Sequence, residues 1–362
     1  MENINYINKS EFIKTFNQQC PEYQYIPAIL PKVPRIVVFG DIHGDYNLMI
    51  DLLKMSNVID SNHNWIGGNT YVVQVGDQVD RCRPLSSFYT CANPQTTQND
   101  EANDINILKY FNQLHDKAKV YGGAVISLLG NHEIMNSLGD MSYVSYEGIK
   151  QFANKDIINT NDHIEIVKSG TKNRKEKFAP GNEYGTLLGC SRIPSVIIGS
   201  NLFVHAGIVD YLLSDINIKD INDLETINMA IRYWLLGIID KRLVEKILLG
   251  NKSTPNTSMF WTRLLGNLPP NLSFSDPQCY TYINKVLKVF KIDHIIIGHT
   301  PQSFMHNSSN GTCDDIVWRV DNGSSHAFDY FDKHLQKYGN VDNRRKPQYL
   351  EILNDTEFIL HT

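Results

Sequence analysis

The chain has 362 residues and a mass of 41.3 kDa, with 42% hydrophobic and 20% charged residues. These values are typical of a globular protein with a large buried core, and they exclude a disordered chain, a collagen and a coiled coil. Basic residues number 34 and acidic residues 39, so the net charge is -5 and no overall positive field attracts polyanions. We therefore expect neither nucleic acid nor a membrane as a partner, and any anionic ligand must be held by a local site.

Cysteine usage and the first residues indicate an intracellular protein. The six cysteines form no C-x-x-C pair and no disulfide-framework spacing, so we expect reduced thiols with mostly structural roles. The N-terminus lacks the basic and apolar regions of a secretory signal. The most apolar long segment, 227–249, contains several charged residues, which predicts one amphipathic helix instead of a membrane span. The expected location is the cytoplasm.

Short β-branched runs that stop at a glycine or a polar residue alternate with segments of helical periodicity. The predicted strands are 35–39, 71–75, 124–129, 195–204 (one strand or a hairpin), 293–297, 318–320 and 349–353, and the predicted helices are 46–56, 104–117 and 146–153. Strands that alternate with helices imply βαβ units and a layered α/β fold. Residues 1–33 are expected to be an N-terminal extension, and 34–362 a single domain, because no linker composition interrupts them.

Two long stretches are predicted to be insertions in that domain, at about 83–103 and 140–190. The first contains prolines and several Gln and Thr residues, and it could shape a substrate groove. Within the second, residues 168–177 contain five basic residues and one acidic residue. We expect this segment to be a solvated surface loop, and the alternative is a lid that faces the substrate.

The ends of five predicted strands present side chains of the types that bind metals. They are Asp41 and His43, Asp77 and Asp80, Asn131 and His132, His205, and His299. Because ligands bind outside the carboxyl ends of strands in α/β sheets, these side chains are expected to meet in one site. Each motif alone also fits a helix cap or a buried histidine, but all five in this order favour a site.

Carboxylates, imidazoles and one amide, without a thiolate, form a ligand set suited to Mn, Fe or Zn. Two ions fit this set better than one, with Asp77 at the end of the middle strand as the shared ligand. Such a pair, about 3.5–4 Å apart, lowers the pKa of a shared water and offers hydroxide as a nucleophile toward phosphorus. No covalent enzyme intermediate is then needed.

These motifs resemble those of the calcineurin-like metallophosphoesterases, within the phosphoprotein phosphatase superfamily, over about residues 34–325. The motifs that carry the resemblance are Gly40-Asp-Ile-His-Gly44, Gly76-Asp-Gln-Val-Asp-Arg81, Gly130-Asn-His-Glu133, Val204-His-Ala-Gly207 and Gly298-His-Thr300. Longer stretches are similar to the Shewanella-like protein phosphatases of that superfamily. They are Leu129-Gly-Asn-His-Glu-Ile-Met-Asn136, Gly139-Asp-Met-Ser-Tyr-Val144, Phe260-Trp-Thr-Arg263 and Gly298-His-Thr-Pro-Gln302.

The resemblance implies a metallophosphatase-type layered β-sandwich flanked by helices, with the active site at the C-terminal ends of the strands, in a catalytic domain spanning 34–362. It implies two divalent ions, with Mn²⁺ expected and Fe or Zn as alternatives. The first ion would be held by Asp41, His43 and Asp77, and the second by Asp77, Asn131, His205 and His299.

The remaining roles also follow from the resemblance. His132 would be the general acid that protonates the leaving oxygen, and Asp80 would orient it. Arg81 and Arg263, together with Asn131, would bind the phosphate oxygens, which suits the bidentate geometry of guanidinium groups. Two residues depart from the pattern. Cys82 replaces the usual glycine and is expected to be a structural thiol, and Leu129 stands where eukaryotic-type members have an arginine.

The leading hypothesis is therefore a metal-dependent phosphomonoesterase that acts on phospho-Ser, phospho-Thr or phospho-Tyr in a phosphoprotein or phosphopeptide. A dinucleoside-polyphosphate or nucleotide phosphohydrolase is the alternative, because it uses the same motif core. An inactive binding module on the phosphatase fold is the third. The oligomeric state and the side-chain preference cannot be predicted from the sequence. A net charge of -5 does not exclude a phosphate substrate, since two cations and two arginines would make the site locally positive.

Overall fold

Two β-sheets form the centre of the molecule in a computed structural model that describes residues 7–84, 89–250, 257–330, 332 and 345–362. The strands are β1 Ile29–Leu30, β2 Arg35–Phe39, β3 Tyr71–Gln74, β4 Ala124–Ser127, β5 Ser195–Ile198, β6 Asn201–Val204, β7 His294–Ile297, β8 Asn310–Thr312, β9 Val317–Arg319, β10 Tyr349–Leu353 and β11 Glu357–His361. One sheet has the order β11-β10-β2-β3-β4 and the other β1-β5-β6-β7-β9-β8.

Helices cover the outer faces of both sheets. In the described part of the chain they are α1 Lys9–Gln19, α2 Tyr46–Met55, α3 Asp104–Lys119, α4 Asn131–Leu138, α5 Tyr146–Lys150, α6 Lys155–Ile158, α7 His163–Phe178, α8 Glu183–Ser191, α9 Asp210–Asp215, α10 Asn222–Leu235, α11 Glu245–Leu249 and α12 Pro277–Phe290. Parallel pairing joins β2, β3 and β4 in one sheet and β6, β7 and β9 in the other. The carboxyl ends of these six strands therefore lie where a common site can form.

Alternation of side chains along the strands explains the layers. In β2, Ile36 and Val38 belong to a core between the two sheets, while Val37 and Phe39 pack toward the helices on the outer face. The second sheet does the same, since Phe203 points inward and Leu202 outward. The result is a helix–sheet–sheet–helix sandwich, which confirms the predicted fold class.

Most predicted elements lie within one or two residues of the observed ones, and 195–204 forms the β5–β6 hairpin. Two predictions are wrong. The segment 227–249 is not one helix, because α10 ends at Leu235 and Gly237 adopts a left-handed φ of 72° before α11. Residues 168–177 are not a loop, because they lie within α7, where Arg174 and Phe178 are buried.

The predicted N-terminal extension packs on the second sheet. Strand β1 pairs in parallel with β5, and Phe12 and Phe16 of α1 pack against Met229 and Tyr233 of α10. The boundary at residue 33 stays a prediction.

The prediction of reduced cysteines is wrong. All six cysteines are paired, as Cys20–Cys190, Cys82–Cys91 and Cys279–Cys313. The pairs are separated by 170, 9 and 34 residues, distances at which the sequence shows no framework spacing. Cys82, expected to be a free structural thiol, instead ties the start of the 83–103 insertion to its middle.

Within the described ranges, none of the helices has the length and apolar content that crossing a membrane requires.

Candidate metal centre and active site

Loops at the strand ends bring the predicted ligands together, and several adopt backbone conformations that non-glycine residues rarely take. His43, Asp77, Asp80 and His299 have φ values of 47°, 56°, 75° and 67°. Left-handed backbone at such residues is strained and is found where function or packing imposes it. The loops also touch closely, because a Cβ on Gly130 would lie 2.2 Å from Asp77 Oδ1.

Asp77 lies at the centre of the cluster, and its role as a ligand shared by two ions stays a prediction. Its Oδ2 is 3.3 Å from Nε2 of His205 and 3.8 Å from Nε2 of both His43 and His132. Two groups with metal-ligating geometry share this carboxylate. They are His43, Asp77 and His132, and Asp77, His205 and His299.

The predicted amide ligand, Asn131, lies beside the second group. Asn131 Oδ1 lies 2.9 Å from Nε2 of His205 and 2.9 Å from Nδ1 of His299. The other nitrogens of these rings face backbone carbonyls, His205 Nδ1 that of Val75 at 2.9 Å and His299 Nε2 that of Trp261 at 3.3 Å. Such outer contacts fix ring orientation in metal sites.

The first group contains His132 where the prediction has Asp41. Asp41 Oδ2 lies 3.7 Å from His43 Nε2, so the predicted pair is adjacent. Both Asp41 oxygens also accept the backbone N–H of His299, and His132 completes the compact triad with His43 and Asp77. The structure thus brings all six predicted ligands together.

His132 and Asp80 form the predicted pair. His132 Nδ1 is 2.7 Å from Asp80 Oδ2, and its Nε2 faces the cluster. The second Asp80 oxygen accepts an N–H of Asn136 at 2.9 Å. Both members of the pair are buried, with 5% of His132 and none of Asp80 exposed. A ring held on one side by a carboxylate has its other nitrogen available to a leaving group.

Glu133, which the sequence analysis did not select, organises the same loops. Its carboxylate accepts the backbone N–H groups of Asp77, Gln78, Val79 and Gly130 at 2.7–3.3 Å. Burial raises its pKa, although these hydrogen bonds act in the opposite direction. The signal was in the sequence, because a Glu three residues after the N-cap glycine of a helix predicts this type of capping contact.

Three arginines surround the cluster, and they are placed differently. A cavity of about 300 Å³ opens over the ligands and is lined also by Arg83, Tyr143, Trp261, Arg263 and Phe328. Arg263 is exposed, and its Nη1 donates to the carbonyl of His299 at 3.0 Å. Arg83, missed from the sequence, stacks on Phe328 and donates to Nε2 of His43 at 2.6 Å.

Arg81 is not among the residues that line this cavity, and its place at the phosphate stays a prediction. It is 1% exposed and lines an adjoining cavity of about 140 Å³, together with residues of the 83–103 insertion. Its Nε and Nη1 atoms are buried without a hydrogen-bond partner among the described residues. Arg83 lines both cavities and is the arginine of this loop that reaches the ligand cluster.

Burial and mutual interactions set the electrostatics of the site. Burial lowers the pKa of His43 and His299 well below the usual range, with Arg83 and Arg263 acting in the same direction. Burial would raise the pKa of Asp77, yet the imidazoles of His205, His132 and His43 hold it well below its usual range. Burial would lower the pKa of His205, yet the charge and hydrogen bond of Asp77 raise it. Because metal ligands need neutral imidazoles, binding an ion here would displace a proton from His205.

Asp321 is a further carboxylate of the site that the sequence analysis missed. It follows β9, the strand predicted at 318–320, and so obeys the same strand-end pattern as the other ligands. Burial raises its pKa to about 6, and burial, followed by the charge of Asp321, raises the pKa of Asp41. One of its oxygens is buried without a hydrogen-bond partner in the described part of the chain. An orphaned buried carboxylate oxygen is chemically suited to a cation or a bound water.

Comparisons with known proteins agree with this geometry. The family model for calcineurin-like phosphoesterases matches residues 34–303. An uncharacterised protein, R398, of Acanthamoeba polyphaga mimivirus is 35% identical over 70% of this chain and 98% of its own length. The Shewanella-like protein phosphatase 2 of Arabidopsis thaliana is 26% identical over 81% of this chain and 72% of its own length.

Among solved structures, the cold-active protein-tyrosine phosphatase of a psychrophilic Shewanella species superposes with a TM-score of 0.63. It is 22% identical, and the match covers 93% of this chain and 80% of that one. The likeness shows the fold, a metallophosphatase sandwich.

The chain belongs to the calcineurin-like phosphoesterase family. It is a hydrolase of the phosphatase type, with Shewanella-like protein phosphatases among its relatives. Members of this family use divalent metals, and family membership implies a phosphorylated substrate.

Proposed function

We propose that the protein is a metal-dependent phosphomonoesterase that removes phosphate from Ser, Thr or Tyr side chains of proteins. The observation that carries the proposal is the cluster centred on Asp77. Six predicted ligands and the His132–Asp80 pair lie together, and four of these ligands line one cavity with His132 and the exposed Arg263. The relatives that carry the name protein phosphatase support the choice of a protein substrate.

The donor set fits two divalent ions. Asp41, His43 and Asp77 would hold the first ion, and Asp77, Asn131, His205 and His299 the second. When bound, such ions supply Lewis acidity toward the phosphate oxygens and lower the pKa of a water molecule, so that water can attack phosphorus directly. Mn²⁺ is the proposed ion, and Fe or Zn would suit the same mixture of oxygen and nitrogen ligands.

The residues of the chain supply the other requirements. His132, held by Asp80 at Nδ1, would donate the proton from Nε2 to the leaving oxygen. Arg263 and Arg83, which both line the cavity, would bind the non-bridging phosphate oxygens. Arg83 is near enough for this role, because its Nη2 lies 2.6 Å from Nε2 of His43, one of the proposed metal ligands. Arg81 remains a predicted phosphate ligand, although its buried position at the adjoining cavity does not favour this role.

The proposal is tested with full-length protein that is stripped with a chelator and reloaded with Mn²⁺, Fe²⁺ or Zn²⁺. We expect turnover of p-nitrophenyl phosphate, followed by hydrolysis of phosphopeptides in a panel that carries phospho-Ser, phospho-Thr and phospho-Tyr. If loaded protein hydrolyses no phosphomonoester, the proposal is wrong. Faster hydrolysis of diadenosine tetraphosphate or a nucleotide than of every phosphopeptide would establish the alternative activity.

Cytoplasmic location stays a prediction, and the disulfides count against it. Structural disulfides persist in oxidising environments and are rare where glutathione and thioredoxin keep thiols reduced. We propose that the chain works, or is at least stored, in an oxidising environment. Counting free thiols by alkylation and mass spectrometry in protein taken directly from its native source tests this, and six reactive thiols would contradict it.

A further inference from the structure

The buried arginine of helix α7, Arg174, contacts the groups that hold the general acid. It lies in the 168–177 stretch whose positive charge predicted a surface loop, yet its side chain is fully buried. Its aliphatic and guanidinium parts pack on the rings of Phe152 and Phe178, at 5.3 and 4.8 Å from the guanidinium carbon. A charge in such a place is costly unless it is paired and hydrogen-bonded.

Each nitrogen of Arg174 has a partner. Nε donates to Oδ1 of Asn136 at 2.9 Å, Nη1 donates to the carbonyl of Gly148 at 3.2 Å, and Nη2 donates to Oδ2 of Asp104 at 2.6 Å. Nη2 is also 3.7 Å from Oδ1 of Asp80. The guanidinium therefore holds three elements together, since Asn136 lies in α4, Gly148 in α5 and Asp104 in α3.

Two of these partners, Asn136 and Asp104, in turn hold Asp80. Asn136, oriented by Arg174, donates to Oδ1 of Asp80 at 2.9 Å, and Asp104 accepts the Asp80 backbone N–H at 3.1 Å. Oδ2 of Asp80 is then left for Nδ1 of His132. Burial raises the pKa of Asp104, and the Arg174 charge opposes that rise.

We propose that Arg174 is a positioning residue for hydrolysis, which fixes the Asp80 carboxylate and through it the ring orientation and tautomer of His132. The inference rests on the proposed function, because it requires His132 to act as the general acid. It also gives the 140–190 insertion a role in catalysis, since α7 supplies the charge that keeps the Asp80–His132 pair in place.

The test compares substrates that differ in their need for a proton. A p-nitrophenolate leaves without help, whereas the alkoxide of a phosphoserine peptide needs protonation. We expect Arg174→Met to lower kcat on the phosphoserine peptide by about 10- to 100-fold, as is typical for loss of an outer partner, with a much smaller loss on p-nitrophenyl phosphate. KM and the bound metal content, measured by elemental analysis, should stay close to those of the unchanged protein. Arg174→Lys keeps the positive charge but not the planar set of guanidinium N–H donors, so its loss of kcat on the phosphoserine peptide should be intermediate.

A matched control comes from Arg232 in α10. It is also buried, stacks on Phe16 and donates to the carbonyls of Gly189 and Cys190, but none of its partners in the described part of the chain belongs to the site. Arg232→Met should reduce thermal stability without changing the ratio of the two substrate rates. If Arg232→Met changed this ratio as much as Arg174→Met does, the effect would be one of general folding and the inference would be wrong.

A double-substitution cycle separates the inference from the proposed function. When His132 is already alanine, Arg174→Met should cause little further loss, because residues that act through one another are not additive. Equal losses in both backgrounds would overturn the positioning role. Should Arg174→Met fail to fold, Asn136→Ala removes the link to Asp80 while the Arg174–Asp104 pair stays, and it should show the same substrate dependence. If the unchanged protein is inactive, the proposed function is wrong. If the rate loss of His132→Ala depends on the leaving group, but the rate losses of Arg174→Met and Asn136→Ala do not, only this inference is wrong.

Discussion

The strand-end loops and the two predicted insertions, 83–103 and 140–190, meet at the same cavity but are built in different ways. The loops that carry Asp41, Asp77, Asn131 and His299 are held by backbone contacts and by Glu133, at the ends of parallel strands. The insertions contribute Arg83 and Arg174 through a disulfide-tied loop and a helix. Ligand positions follow from strand order alone, whereas the arginines depend on how segments far apart in sequence pack. We expect the first region to control metal binding and the second to control how substrate and protons are handled.

The largest effect is expected at Asp77, which both ligand groups share. Asp77→Asn removes the charged oxygen that faces His43, His132 and His205, so neither ion should stay bound and turnover should become undetectable. Elemental analysis and p-nitrophenyl phosphate hydrolysis measure this. Asp210→Asn is the control, because this carboxylate accepts backbone N–H groups of α12 and is not among the groups at the cluster. Retention of two ions by the Asp77 variant would show that the strand-end loops do not share a ligand.

The next effect is expected at His132. His132→Ala should lower hydrolysis of a phosphoserine peptide by about 10²- to 10⁴-fold, the usual contribution of general acid catalysis, and that of p-nitrophenyl phosphate much less. The compact triad of His43, Asp77 and His132 offers the opposite interpretation, in which His132 binds a metal. In that case the variant would lose an ion, and the hydrolysis rates of both substrates would fall by the same factor. Rates and metal content measured on the same preparation separate the two roles.

A smaller effect is expected for the arginines, and it compares the two regions directly. A charge-assisted hydrogen bond contributes about 1.5–3 kcal/mol, so Arg263→Ala and Arg83→Ala should each lower kcat/KM by roughly 10- to 100-fold without loss of metal. Arg81→Met should lower it less. Because buried Nε and Nη1 atoms of Arg81 lack partners among the described residues, this replacement should not reduce thermal stability. The reverse order, with Arg81 most sensitive, would restore the role predicted from the sequence.

The two regions also differ in how far the sequence predicts them. Asp41, Asp77 and His299 follow short β-branched runs, and the rule that ligands bind at strand ends places them together without knowledge of packing. Asp321 obeys that rule as well, since it directly follows the strand predicted at 318–320, so the same rule could have found it. The buried position of Arg174 could not be predicted, because a segment with five basic residues in ten is expected to be exposed to solvent. Only the position of Asp104, a buried acid far away in sequence, shows that one of these basic residues is buried.

The cysteines show the same limit. Spacings of 170, 9 and 34 residues carry no signal, and the pairing depends on which elements pack together. Cys20, for example, meets Cys190 because α1 packs beside α10 and near the end of α8.

The smallest effect on activity is expected at the disulfides. Removing one of them should affect mainly stability, whereas removing another should also affect substrate binding. Cys20–Cys190 closes a long loop away from the site, so replacing both residues with alanine should cost about 4–5 kcal/mol of stability and leave KM unchanged. Cys82–Cys91 closes a short loop that carries Arg83, so its removal should cost less stability, about 2–3 kcal/mol. It should nevertheless raise KM several-fold, because Arg83 would no longer be held beside Tyr143 and Phe328. Chemical denaturation and steady-state kinetics on both double variants measure the two quantities. If the Cys82–Cys91 variant kept its KM, the insertion would be structurally separate from substrate binding, and the contrast between the two regions would reduce to Arg174 alone.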